Sequence, residues 1–188
     1  MTPLMSWRLI LSALFIIAWS RPGLSPPDLT LAITIDPETR QFTAQAKWQP
    51  VQRKVRILLH ESLHVSSATV DSRRLPVEQA PAGPGYKLWS LYLAQTKQAL
   101  TLNYAGQLPP LERNRDHRSV LGGMPPTAAP EGSFLSAGSA WYPRPADLFS
   151  YRVTLSLPGN QRGLVAGRRV SEISVSYTHL TLPTSDLV

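Results

Sequence analysis

Apolar and polar residues alternate along most of the chain, and this period of two predicts β-strands. The alternation is clearest over residues 29–36 and 42–48. Between these segments lies Asp36-Pro37-Glu38, in which the Asp side chain accepts backbone hydrogen bonds and Pro fixes φ, as turns require. Together they predict a β-hairpin with one apolar face.

Further segments with apolar residues at every second position predict additional strands. They lie at residues 54–59, 67–70, 75–77, 89–93, 100–104 and 151–157. Proline is abundant, with 18 among 188 residues, against a usual share of about 5%. Proline interrupts helices, so a helical bundle is disfavoured. We therefore expect residues 28–173 to form one all-β domain, an antiparallel sandwich or a pair of curved, saddle-like sheets.

The amino terminus has the pattern of an export signal. Arg8 precedes an almost entirely apolar run over residues 9–19, which at eleven residues is short for a bilayer span of about 20. Small residues precede the expected cleavage after Ser20. We predict a signal helix over residues 1–20 and a linker over residues 21–27, with an uncleaved anchor as the alternative. The protein is then periplasmic, or membrane-anchored and facing outside the cytoplasm.

The carboxyl terminus resembles a translated sequencing adaptor. Residues 175–184 read VSYTHLTLPT, which the codons GTC TCT TAT ACA CAT CTG ACG CTG CCG ACG encode. We expect residues 174–188 to be an artefactual tail and the natural gene to continue past about Ile173. His179 then carries no chemistry. The alternative is a genuine strand and tail.

Composition excludes several classes of chemistry. The chain has no cysteine, which removes thiolate nucleophiles, disulfides and zinc sites built on thiolates. Its net charge is +7, which permits contact with an anionic partner. In the long loop over residues 108–132, however, Glu112 and Asp116 are interleaved with the arginines, and aromatic interleaving is lacking. We expect no nucleic-acid partner, and membrane contact only through an uncleaved signal.

His60-Glu61-Ser62-Leu63-His64 matches the H-E-x-x-H pattern of zinc peptidases. On a helix the two histidines share a face, whereas on a strand residues four apart are separated by about 13 Å. The flanking residues are patterned as strands, and the two common spacings for a third ligand fall on Val70 and Gly83. We therefore predict an accidental match, with no catalytic or metal-binding residue in this chain. His60, Glu61 and His64 remain the candidates for a minimal zinc hydrolase.

Two later segments resemble a known family. Residues 134–143 read FLSAGSAWYP and residues 149–158 read FSYRVTLSLP. This succession, with residues 58–65 as an earlier strand, resembles the amino-terminal β-domain of M1-family zinc aminopeptidases. In that family the Gly-x-Met-Glu-Asn motif and the zinc helix lie in a downstream domain. Here Gly123-Met124 is followed by Pro125, so that motif is not matched.

The resemblance implies a non-catalytic scaffold fragment. Its partner would be the missing downstream catalytic domain, and zinc and a peptide substrate would belong to the full-length parent. Trp141 and Tyr142 would be packing residues or part of a domain seam. Two other hypotheses stay open. One is a free-standing envelope β-sandwich that binds a protein or glycan through residues 108–132. The other is the minimal zinc hydrolase, which requires a helix and a third ligand.

Overall fold

The computed structural model describes residues 28–112, 124–159 and 161–173. These residues form eleven β-strands and no helix, which confirms the all-β prediction. The predicted signal helix, the linker and the tail over residues 174–188 lie outside the described residues. Within the described ranges, no helix has the length and apolar character needed to cross a membrane.

The strands from β1 to β8 follow one another with short connections, whereas longer segments precede β9 and β11. They are β1 (Leu29–Asp36), β2 (Gln41–Trp48), β3 (Lys54–His60), β4 (Leu63–Val70), β5 (Arg73–Arg74), β6 (Glu78–Pro81), β7 (Tyr86–Tyr92), β8 (Leu100–Gln107), β9 (Thr127–Ala129), β10 (Gly132–Phe134) and β11 (Tyr151–Ser156).

The strands are arranged in three sheets. A six-stranded sheet has the order β11-β1-β2-β8-β4-β5, a three-stranded sheet has the order β3-β7-β6, and β9 and β10 form a ribbon. The alternating apolar residues of the two larger sheets are buried in one cluster, which includes Ile33, Phe42 and Tyr104 from the larger sheet and Ile57 and Leu91 from the smaller one. The fold is therefore a sandwich whose core lies between these sheets.

The predicted hairpin is confirmed. β1 and β2 pair antiparallel, from Leu29 opposite Trp48 to Asp36 opposite Gln41. In the turn, Asp36 accepts hydrogen bonds from the Glu38 N–H (3.1 Å) and the Thr39 hydroxyl (2.7 Å). The Asx-type turn therefore sets the register of the hairpin.

One edge of the six-stranded sheet is parallel, so the antiparallel prediction is wrong there. β11 pairs with β1 in parallel, with Leu29 opposite Tyr151. Both strands start at a clasp in which the Ser150 N–H donates to Asp28 Oδ2 (2.8 Å) and the Leu29 N–H donates to the Ser150 carbonyl (3.1 Å). The clasp joins the strand starts at the same end of the sheet, which gives the parallel direction.

Two predicted strands differ in position from the observed ones. β4 begins at Leu63 rather than at residue 67, and a bulge between Val65 and Ser67 breaks its alternation. Residues 75–77 are not a strand. Leu75 and Val77 instead pack against the core between β5 and β6, so their apolar alternation reflects burial in a connection.

Candidate functional site

The H-E-x-x-H residues lie on a strand, a turn and a second strand. His60 ends β3, Glu61 and Ser62 form the turn, and His64 is the second residue of β4. The two strands belong to different sheets, so this segment is where the chain passes from one layer of the sandwich to the other. The helix that the minimal zinc hydrolase requires is not formed.

His60 is engaged within the turn. Only 7% of the residue is exposed. The Ser62 N–H donates to His60 Nδ1 (3.2 Å), and the Ser62 hydroxyl lies 2.8 Å from the same nitrogen. Because Nδ1 accepts, the ring proton of the neutral form belongs on Nε2. Burial lowers the pKa of His60, an effect that Glu61 opposes and Lys87 reinforces, so the neutral ring is favoured.

Lys87, on β7, joins the turn to His64. Its ammonium donates to the Glu61 carbonyl oxygen (2.6 Å) and lies 2.9 Å from His64 Nε2. An ammonium has only donors, so Nε2 of His64 accepts. Lys87 therefore ties the smaller sheet to the first residues of β4.

These residues do not fit a zinc site. His60 Nδ1 and His64 Nε2 already accept hydrogen bonds, and the Lys87 ammonium would repel a cation placed beside His64. Across the described ranges, no cluster of three or more His, Cys, Asp or Glu side chains is placed to hold a metal. The motif serves the crossover between sheets.

The segment that carries the family resemblance packs beside this turn. The Ala140 carbonyl accepts from the His60 N–H (2.8 Å). Trp141 and Tyr142 contact each other edge to face, with ring centroids 4.5 Å apart, and both pack against the apolar core. Phe149 follows at 6.2 Å from Tyr142. Of the two roles expected for Trp141 and Tyr142, packing against the core is observed, and a part in a domain seam stays a prediction.

Two further polar residues that the structure describes, Ser139 and Arg169, make local contacts. The arginine-rich part of the loop, residues 113–123, and His179 lie outside the described residues. Ser139 is buried and donates from its hydroxyl to the Ser136 carbonyl (2.8 Å), which closes a turn. Arg169 pairs with Glu172 at the surface (2.5 Å).

Sequence reasoning missed a small basic depression beside β3. Its volume is about 160 Å³, and Lys54, Arg56 and Arg144 line it together with neutral residues. The signal available in the sequence was the pair of cations at alternate positions of β3, which places both on the outward face. Arg144 lies 88 positions after Arg56 in number, and no local pattern brings them together.

The comparisons with known proteins give a likeness of fold. No protein-family model and no curated protein sequence matches the chain. A mutant M1 zinc metallopeptidase from Deinococcus radiodurans, bound to a Tyr-Ser-Ala substrate, matches with a TM-score of 0.52 and 15% identity, over 77% of this chain and 34% of that one. An aminopeptidase N family protein from Idiomarina loihiensis matches with a TM-score of 0.36 and 18% identity, over 45% of this chain and 16% of that one.

The chain thus spans about a third of the length of the Deinococcus radiodurans enzyme and less of the Idiomarina loihiensis protein. The likeness to the former supports an all-β sandwich with the fold of the amino-terminal domain of M1 zinc metallopeptidases. At this level of identity the likeness concerns the fold alone.

Proposed function

We propose that this chain is the non-catalytic amino-terminal scaffold domain of an exported M1-like zinc aminopeptidase. The observation that carries the proposal is the fold likeness to the Deinococcus radiodurans metallopeptidase over 77% of this chain. Zinc, the peptide substrate and the catalytic residues would belong to the parent's downstream domain. Export rests on the signal pattern of residues 1–20.

The contacts of the H-E-x-x-H residues support a structural role. His60 accepts from Ser62, and Lys87 holds both the Glu61 carbonyl and His64. A general base and two metal ligands need free lone pairs aimed at one point. Here the lone pair of His60 is used within the turn, and that of His64 connects the two sheets through Lys87.

The segments on either side of β11 support contact with another domain. Four large apolar residues there are between 84% and 99% exposed: Leu148, Leu164, Val170 and Ile173. Large apolar side chains that a partner can bury are a feature of interaction surfaces in folded proteins. In this proposal the four residues, called the apolar seam below, contact the catalytic domain of the parent.

The first test is to sequence the native locus across the codons for residues 172–188. We expect the reading frame to leave the adaptor-like sequence and continue into a gene that encodes an H-E-x-x-H helix and a downstream glutamate. If the native DNA encodes the tail and stops after Val188, the proposal is wrong, and a free-standing binding module becomes the better hypothesis.

The second test is biochemical and uses the full chain. We expect no hydrolysis of aminoacyl amides and no stoichiometric zinc in equilibrium dialysis, because the H-E-x-x-H side chains are engaged in the crossover. Tight zinc binding that is lost in His60→Ala would contradict the scaffold role and support the minimal zinc hydrolase.

A further inference from the structure

Two connections meet at the end of the sandwich where β1 begins. One joins β2 to β3, and the other joins β7 to β8. The Lys97 N–H donates to the Pro50 carbonyl (2.7 Å), and the Leu93 N–H donates to the Arg53 carbonyl (2.8 Å). The Arg53 Nε also donates to the Leu93 carbonyl (3.3 Å). The two connections therefore form one surface at this end.

This surface exposes an aliphatic and an aromatic side chain among cations. Val51 is 70% exposed and Tyr92 is 58% exposed. Arg53, Lys54 and Lys97 are exposed at the same end, and the Lys54 ammonium lies over the Tyr92 ring, 5.5 Å from its centroid. These five residues are called the basic tip below.

Cations outnumber carboxylates around the basic tip. Residues 49–56 and 92–99 contain four cations and neither Asp nor Glu. Asp28 and Asp71 lie at the same end of the six-stranded sheet, but Asp28 already accepts hydrogen bonds in the clasp with Ser150. This end of the sandwich is therefore positively charged, which favours an anionic partner.

The amino-terminal segment joins the domain at this same end. Leu29, the first residue of β1, is opposite Trp48, the last residue of β2, so the chain enters the fold next to the β2–β3 connection. The apolar run over residues 9–19 is separated from Asp28 by eight residues, which span at most about 29 Å when fully extended. An apolar run placed in a bilayer would therefore hold the basic tip near the bilayer surface.

We propose that the basic tip docks on the surface of an anionic lipid bilayer. Val51 enters the apolar boundary beneath the headgroups, and the Tyr92 ring lies at headgroup level, where an apolar ring with a polar hydroxyl is favoured. The three cations of the tip contact lipid phosphates. This contact goes beyond the expectation that only residues 1–20 meet a membrane, and it does not depend on the M1-like assignment.

The first test measures co-sedimentation of the full chain with phosphatidylcholine vesicles that contain either no phosphatidylglycerol or about one third of it. Because residues 1–20 can also bind lipid, the readout is the difference between variants that share them. Lys54→Glu should weaken binding to the anionic vesicles about tenfold or more, because it replaces attraction by repulsion. Arg162→Glu reverses the same charge at an exposed residue after β11 and should change binding less than about twofold, because salt screens distant charges.

The second test locates the contact on the protein. Because the chain has no cysteine, a polarity-sensitive fluorophore on Val51→Cys reports from the basic tip alone. The matched control carries it on Glu38→Cys, in the β1–β2 turn at the opposite end of the sandwich. With anionic vesicles, we expect emission to move to shorter wavelength at residue 51 and to stay unchanged at residue 38.

Four outcomes would each overturn the proposal. The first is equal binding to the two kinds of vesicle, and the second is unchanged binding in Lys54→Glu, which would assign the membrane contact to residues 1–20 alone. The third is an equal response of the two fluorophores. The fourth is a response at residue 51 that needs protein concentration instead of lipid, which would make this end an interface between two copies of the chain.

Discussion

At the scale of single residues, Gly106 allows the turn between β3 and β4 to lie against β8. Leu63 is opposite Gly106 in the sheet, and a Cβ at Gly106 would collide with the Ser62 carbonyl oxygen. That neighbour is backbone and cannot rotate away. Gly106→Ala is therefore expected to lower the free energy of unfolding by about 1–3 kcal/mol, measured by urea denaturation.

Gly138→Ala is the matched control for this substitution. A Cβ at Gly138 would meet no atom within 4 Å. Its replacement should change the free energy of unfolding by less than about 1 kcal/mol, with stabilisation as the expected sign because the unfolded chain loses freedom. A similar loss of stability in both variants would show that the turn does not press on β8.

His60 makes stability depend on pH. Burial lowers its pKa below the ordinary value of 6.5, so the unfolded chain binds this proton more readily than the folded one. Its contribution to stability is therefore complete above the unfolded pKa and is lost as the pH falls toward the folded pKa. The free energy of unfolding of the wild type should therefore decrease as the pH is lowered from about 7.5 to about 5.5.

His60→Asn should flatten that pH dependence, because Asn keeps an acceptor for the Ser62 N–H but does not titrate. Asp28 and Asp36 also have lowered pKa values, which come mainly from hydrogen bonds with Ser150 and Thr39. These two carboxylates become protonated only below the measured pH range, so they do not contribute to the change in stability within it. An unchanged slope in His60→Asn would refute the assignment to His60.

At the scale of elements, β11 is attached to the sheet through the clasp at its start. Ser150 accepts the Asp28 N–H at its hydroxyl oxygen (3.0 Å), donates its own N–H to Asp28 Oδ2 (2.8 Å) and accepts the Leu29 N–H at its carbonyl (3.1 Å). Ser150→Ala removes the hydroxyl contacts of the clasp where both strands start. We expect faster hydrogen exchange across β11, with the amides of β2 unchanged.

Ser156→Ala is the control at the other end of β11, where the side chain is exposed. It should leave exchange in β11 at the wild-type rate. Equal acceleration in both variants would mean that β11 frays irrespective of the clasp, and no acceleration in Ser150→Ala would mean that pairing with β1 alone holds the strand.

How far the sequence predicts these elements depends on whether their cause is local. The alternation in β1, β2 and β8 is local; it predicts β1 and β2 to within a residue at each end and the start of β8, which continues three residues beyond the predicted end. The start of β4 is hidden because the bulge between Val65 and Ser67 shifts the faces by one residue. The pairing of β11 with β1 joins residues more than 100 positions apart, which periodicity does not encode.

The candidate site shows the same limit. The strand pattern around H-E-x-x-H correctly places the motif on a strand and turn, since residues 54–59 carry the alternation. The partner that fixes it, Lys87, comes from β7, 23 positions beyond His64. Likewise Arg144 reaches the depression beside β3 from a distant segment. Which residues surround a motif is decided by sheet order, and that order follows from the packing of the whole sandwich.

At the scale of the whole molecule, the apolar seam should govern association. Its four residues are exposed on either side of β11, outside the buried cluster that holds the two sheets together. Replacing Leu164, Val170 and Ile173 by Ser removes apolar surface that water would otherwise have to solvate. We expect the triple variant to self-associate less than the wild type in sedimentation velocity, with the same thermal unfolding midpoint.

The control changes three exposed apolar residues elsewhere, by Val51→Ser, Leu58→Ser and Tyr92→Ser. It lowers apolar exposure by a comparable number of side chains but leaves the seam intact, so its self-association should match the wild type. If both triple variants reduce association equally, general hydrophobicity is the cause and the seam has no special role. If only the seam variant reduces association, the apolar seam is the surface that drives it, as expected for a surface that a partner domain would bury.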